Sequence, residues 1–209
     1  MLTTMAAAVM ALSTVIAPAT TVDSPPGERI TVTVVTVNGS GCPAGTAAVA
    51  PSADNTAFTV TYSDFLAQIG VGAEPTEFRK NCQLSLRVTY PQGFTYGIAQ
   101  ADYRGFGSLA HGAKGLEKAN YYFAGNSPTA QVSHTFNGPL NDYWQATDKT
   151  EVASIVYAPC GEQKILNLNT ELRVSAGTSD ISKTTSFMAM DSTDGSVRTT
   201  VHFAWKQCP

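Results

Sequence analysis

The sequence predicts an all-β protein, a two-sheet antiparallel β-sandwich held by two disulfides. Three observations point there. Alternating apolar and polar residues recur along the chain, most cleanly in Cys82–Tyr90, where even positions are apolar and odd positions polar, the period of a half-buried strand. No long segment has helical period, and turn signals separate about ten or eleven strand-like runs at regular spacing. Four cysteines, Cys42, Cys82, Cys160 and Cys208, form an even set without Cys-x-x-Cys spacing, the pattern of disulfides in an exported chain rather than of zinc or redox chemistry.

Met1–Ala19 reads as a signal peptide. Its apolar core, Met5–Ile16, is about a dozen residues, short of the roughly 20 that a spanning helix needs, and Ala17-Pro18-Ala19 has the small-x-small form of a cleavage site. No Lys or Arg precedes the apolar run, which departs from the usual basic start. Residues 20–37 comprise a flexible Pro-rich leader, Thr20–Glu28, and a first strand, Arg29–Val37, dense in β-branched residues. Residues 38–209 form one sandwich domain. Asn38–Pro43 is a turn, and it holds a glycosylation sequon, Asn38-Gly39-Ser40. Thr46–Ala50 and Thr56–Tyr62 are strands. Ser63–Ile69 is either a helical turn capped by Ser63 or an irregular continuation of the sheet. Gly70–Lys80 is a mobile connector.

Cys82–Gly125 reads as three consecutive antiparallel strands: Cys82–Tyr90, Phe94 to about Leu109, and one carrying Tyr121–Phe123 with Tyr121 and Phe123 inward and Tyr122 outward. The middle strand has an irregularity. Phe94, Tyr96 and Ile98 set an apolar face that Gln100, Asp102 and Arg104 break before Phe106 restores it, so either that polar stretch is solvent-exposed or a bulge shifts the register near Ala101. Thr129–Phe136 places Ala130, Val132, His134 and Phe136 on one face, and Tyr143–Thr147 is a short aromatic segment. Glu151–Tyr157, apolar on both faces, reads as a central strand. Gln163–Ala176 presents Leu166, Leu168, Leu172 and Val174 together. Thr184–Met190 and Val197–Trp205 close the fold around the Asp191–Gly195 hairpin, with Val197, Val201, Phe203 and Trp205 inward. Pairing Cys42 with Cys82 and Cys160 with Cys208 closes two local loops, each contributing about 4 kcal/mol in chain-entropy terms.

Charged residues are only 14% of the chain, net charge is −3, and Lys and Arg form no stripe, which excludes nucleic acid as a partner. No apolar run other than the leader approaches membrane length, so no membrane association is expected after cleavage, and a monomer is predicted.

Gly41-Cys42-Pro43, Lys80–Leu84, Asp102-Tyr103-Arg104-Gly105, Tyr121–Phe123 with Gly125, and the closing Trp205–Cys208 together resemble a family of small secreted bacterial and fungal proteins, domain of unknown function 4360. The resemblance covers Asn38–Cys208. It implies export and a compact disulfide-bonded fold, and carries no activity to any residue.

Candidate chemistry is sparse. His111, His134 and His202 are the only histidines and show no metal-ligand spacing; there is no nucleophile-elbow motif; no cofactor is implied. His134, on the apolar register of its strand, reads as hydrogen-bonded and half-buried; His202 alternates outward beside Arg198. Asp191 and Asp194 offer oxygens for weak calcium binding but also explain themselves as a hairpin turn. Aromatic residues give the strongest binding signal. The leading expectation is a secreted, non-enzymatic module that binds glycan, cell wall or protein, with candidate binding residues Tyr103, Arg104, Tyr122, Tyr143 and Trp144 and an exposed cluster of Tyr122, Tyr143 and Trp144. The rivals are a secreted hydrolase or lyase in which Asp102, Arg104 and His111 meet within about 4 Å in a concave pocket, and an inhibitor-like effector acting through Gly70–Lys80.

Overall fold

The computed structural model describes residues 22–127, 131–190 and 198–209. The signal peptide, Ala130, the Asp191–Gly195 hairpin with its calcium candidates, and Val197 lie outside the described residues.

Among the described residues twelve strands form two antiparallel sheets, the class that the alternation predicts with slightly more strands than its spacing suggests: β1 Thr31–Asn38, β2 Ala47–Pro51, β3 Ala57–Tyr62, β4 Leu66–Gly70, β5 Arg79–Thr89, β6 Phe94–Leu109, β7 Lys114–Phe123, β8 Val132–Asn137, β9 Leu140–Lys149, β10 Ile165–Ser175, β11 Thr185–Ala189 and β12 Thr199–Gln207. A five-stranded sheet runs β1-β5-β10-β7-β8. A seven-stranded sheet runs β2-β3-β12-β6-β11-β4, with β9 on the other edge of β6. The three strands read as a unit in Cys82–Gly125 therefore do not pair with one another: β5 and β7 flank β10 in one sheet, and β6 lies in the other.

The core lies between the sheets. Leu84, Leu86 and Val88 of β5 and Leu166, Leu168, Leu172 and Val174 of β10 meet Tyr96, Ile98, Val201, Phe203 and Trp205 of the facing sheet, and all are buried. Each large apolar side chain removed from water in this way contributes about 1.5–3 kcal/mol. Both disulfides have the expected pairing, Cys42–Cys82 and Cys160–Cys208, with Cα atoms 5.3 and 5.9 Å apart. The second ties the end of β12 to the segment after Tyr157. Within the leader, the Asp23 N–H donates to the Trp205 carbonyl and the Asp23 carboxylate accepts from the Gln207 N–H.

Two segments differ from expectation. Ser63–Ile69 takes the sheet alternative, as β4. Glu151–Tyr157 is no central strand: it holds one 3-10 turn, Val152–Ser154, and a single bridge from Tyr157 to Gly97. Ile155 is buried there while Val152 and Val156 are exposed, so the segment straps the flank of β6 and buries one apolar side chain in place of a face.

A bulge in β6 sets which of its side chains face outward. Gln100 pairs with His202, but the next pair is Ile98 with Phe203, so Ala99 is the extra residue, two positions from the expected place. Before it, Tyr96 and Ile98 point inward; after it, Ala101, Tyr103, Gly105 and Leu109 do, and Gln100, Asp102, Arg104 and Phe106 turn outward. Phe106 therefore does not restore the inward face.

Candidate functional site

Outward side chains of three neighbouring strands make a polar grid. In each register row a β9 residue, a β6 residue and a residue of β12 or, in the last row, the residue just before it stand side by side: Lys149–Gln100–His202, then Thr147–Asp102–Thr200, then Gln145–Arg104–Arg198. These nine residues line a shallow groove of about 710 Å³. None is apolar, although a sheet face ordinarily mixes both kinds.

Asp102 is the hub. It accepts hydrogen bonds from Thr147 Oγ1 at 2.6 Å and Gln100 Nε2 at 2.8 Å, and His202 Nε2 lies 2.9 Å away. Partial burial alone would raise the carboxyl pKa, but the bonds from Thr147, Gln100 and His202, with the histidine's charge, hold it below the usual carboxylate value. A carboxylate so held orients its neighbours and keeps little free acceptor capacity. The expected trio of Asp102, Arg104 and His111 does not form: His111 is an exposed turn residue away from the groove, and the groove's histidine is His202, one hundred residues on from Asp102.

One register step beyond Arg104 on the same face, Phe106 is flanked by Tyr143 of β9 and Phe187 of β11, with ring centroids 5.4 and 6.1 Å away. Tyr143 is 56% exposed, and Phe106 and Phe187 are half-buried. The expected exposed cluster of Tyr122, Tyr143 and Trp144 does not form; the aromatic neighbours of Tyr143 on this face are Phe106 and, beyond it, Phe187. Trp144 is buried, because it alternates with Tyr143 and lies across Gly105, where a Cβ would come within 2.2 Å of the indole; it packs on Phe136. Tyr122 points outward as expected, but from the five-stranded sheet, beside a crevice of about 50 Å³. Tyr103 is fully buried between Asp102 and Arg104 in sequence, and desolvation pushes its phenol well above the ordinary value. Of the five candidate binding residues, Arg104 and Tyr143 reach this face. Phe106 was missed because its outward register depends on the bulge, and Phe187 because its strand, β11, reaches β6 only through the tertiary fold.

Directly behind the grid lies a second polar cluster. Asp148, inward from β9, lies 2.7 Å from His134 Nε2 on β8, so the bond crosses between the sheets; the histidine is half-buried as expected and the carboxylate is 1% exposed. Glu117, opposite His134 on β7, is 0% exposed and neither of its oxygens has a hydrogen-bond partner. Burial, then the charge of Asp148, raises the Glu117 carboxyl to about 9, so it is a neutral acid at physiological pH. Alternation run back from Tyr121 and Phe123 through Ala119 places Glu117 inward, which was the available signal. Among the described residues no group of three His, Cys, Asp or Glu side chains is arranged to hold a metal.

Comparison with known proteins gives a family without an activity. The model of the domain of unknown function DUF4360 matches residues 28–208. An uncharacterized secreted protein of Arthroderma benhamiae is 35% identical over 186 residues, 89% of this chain and 75% of that one. The enzymatically active domain of bacteriophage CBA120 tailspike protein 4 aligns over 86% of this chain and 19% of its own, with 10% identity and a TM-score of 0.25, which carries no argument. The chain belongs to the DUF4360 family.

Proposed function

We propose that this family member is an extracellular binding module that takes a glycan on the outer face of β9, β6 and β12. The observation that carries the reading is the row Tyr143–Phe106–Phe187 set one register step from nine polar side chains on a single sheet face. Aromatic faces stack on the apolar faces of sugar rings, while amides, hydroxyls and guanidinium groups match the hydroxyls around the rim. Export is part of the proposal; the Met5–Ala19 segment and the secreted relative support it. Binding is favoured over hydrolysis because Asp102 is the only carboxylate of the grid and is already engaged by three neighbours, whereas glycoside hydrolysis ordinarily uses a pair of free carboxyl groups. The test is Tyr143→Ala on a glycan array. The side chain is exposed, so the melting temperature should stay within error while retained glycan signal falls about tenfold, as loss of one stacking contact implies. Unchanged binding would remove this face from consideration.

A further inference from the structure

We infer that the glycan is acidic, a polysaccharide carrying carboxylate or sulfate groups that lie against Arg104 and Arg198 and extend toward Lys149. This rests on the glycan-face reading and narrows it. The chain as a whole is net −3, yet the grid holds three cations and one carboxylate. That local reversal is not neutralised: among the described residues none of Arg104, Arg198 and Lys149 pairs with a carboxylate. Some cations elsewhere do close on carboxylates, Arg79 and Arg173 on Glu171, Lys164 on Glu162 and Lys183 on Asp180; the grid instead gathers three unpaired ones on a single face.

Placement favours a chain ligand over a small anion. The Arg104 N–H donates to the Arg198 carbonyl at 3.1 Å, so the two side chains start from facing backbone positions, on β6 and just before β12. Each guanidinium group is a planar fork of N–H donors suited to a carboxylate or sulfate. Lys149 stands two register rows away, about 13 Å along the strands at the usual rise, further than one monosaccharide reaches. On the far side of the arginine pair lie Phe106 and Tyr143, so an acidic group held by the guanidinium groups sets its own ring against the aromatic row. Asp102 sits at the grid centre with its oxygens directed to Thr147, Gln100 and His202, and it repels anions from every path except those over the cations. An acidic peptide could add as a strand only at the outer edge of β9, at the rim of the grid and away from the arginine pair, because β6 is paired on both sides.

The experiment measures affinity of the signal-free chain for polygalacturonate, dextran sulfate and neutral dextran, with poly-glutamate and oligo-dT as further arms, at low and high salt. The expected result is binding of one or both acidic polysaccharides, weakened by salt, no retention of dextran, and a loss of about tenfold or more in Arg104→Gln/Arg198→Gln, with a smaller loss in Lys149→Gln. The uronate and sulfate arms separate the two sources of negative charge. Dextran binding that Tyr143→Ala abolishes and the arginine variant leaves intact would overturn the acidic assignment while keeping the glycan face. Equal binding of poly-glutamate or oligo-dT would reduce the site to a charge patch and overturn the inference. No binding of any polysaccharide would fail both readings. Should the double arginine variant melt early, Lys149→Gln and the salt dependence decide the same question.

Discussion

Two histidine–carboxylate pairs lie on opposite sides of one sheet. His202 Nε2 meets Asp102 at 2.9 Å on the outer face; His134 Nε2 meets Asp148 at 2.7 Å in the interior. The chemistry is the same and the surroundings differ. Asp102 has two further donors, Thr147 and Gln100, and water beyond them. Asp148 has one oxygen with no hydrogen-bond partner and a second buried acid, Glu117, nearby. A pair in water can lose a member and keep its hydration; a pair in the core cannot. The outer pair is therefore available to hold a binding surface in order, and the inner pair is an internal constraint on how β8 and β9 meet.

The largest expected effect comes from cutting each pair in turn. His134→Ala should cost about 3–5 kcal/mol of unfolding free energy, since it leaves the Asp148 charge buried and uncompensated, whereas His202→Ala should cost about 1 kcal/mol or less. Urea denaturation of both variants checks this, and equal losses would erase the distinction. Asp148→Asn added to His134→Ala should recover most of the loss.

Next in size is the pH dependence of Glu117. Its folded value, about 9, lies above the ordinary 4.5, so the folded state holds its proton longer than the unfolded chain. The associated stability is full below the ordinary value and is lost as pH rises toward 9, at about 1.4 kcal/mol per pH unit. Glu117→Gln keeps the shape of the neutral acid and should flatten that slope while leaving stability in acid unchanged; a slope that persists in the variant would place the effect elsewhere.

The smallest effect is expected at Asp102. Its folded value lies below the ordinary one, so its contribution is present above the ordinary range and is lost as pH falls through the folded value. Asp102→Asn should remove about 1 kcal/mol of stability or less, the group being half-buried at a wet face, and should weaken glycan retention by releasing Gln100 and His202 from their fixed orientations. Unaltered retention would make the hub a bystander.

Much of the fold was legible in the residues. The alternation in Cys82–Tyr90 and in Gln163–Ala176 gave β5 and β10 with the right apolar residues inward, because each strand has one apolar and one polar face and period two then writes the inward face into sequence. The break at Gln100–Arg104 left an exposed polar stretch and a bulge near Ala101 as alternatives, and the structure has both, with the bulge at Ala99. Glu151–Tyr157 misled because an apolar strap over a sheet flank and a central strand have the same composition. Trp144 misled because alternation says that Tyr143 and Trp144 face opposite ways without saying which is outside; the space over Gly105 settles it.

By itself the sequence determined the sandwich class, most strand positions, the outward polar run after the bulge and a cysteine set whose local pairing the fold adopts, since these depend on neighbours a few residues apart or on loop length. Only the tertiary structure decided that His202 rather than His111 joins Asp102, that Phe106 and Phe187 flank Tyr143's side of the grid, and that Glu117 and Asp148 are enclosed together. Those partners come from strands far apart in the chain, and which strands become neighbours, and which face closes on the other sheet, is set by stacking two layers at once.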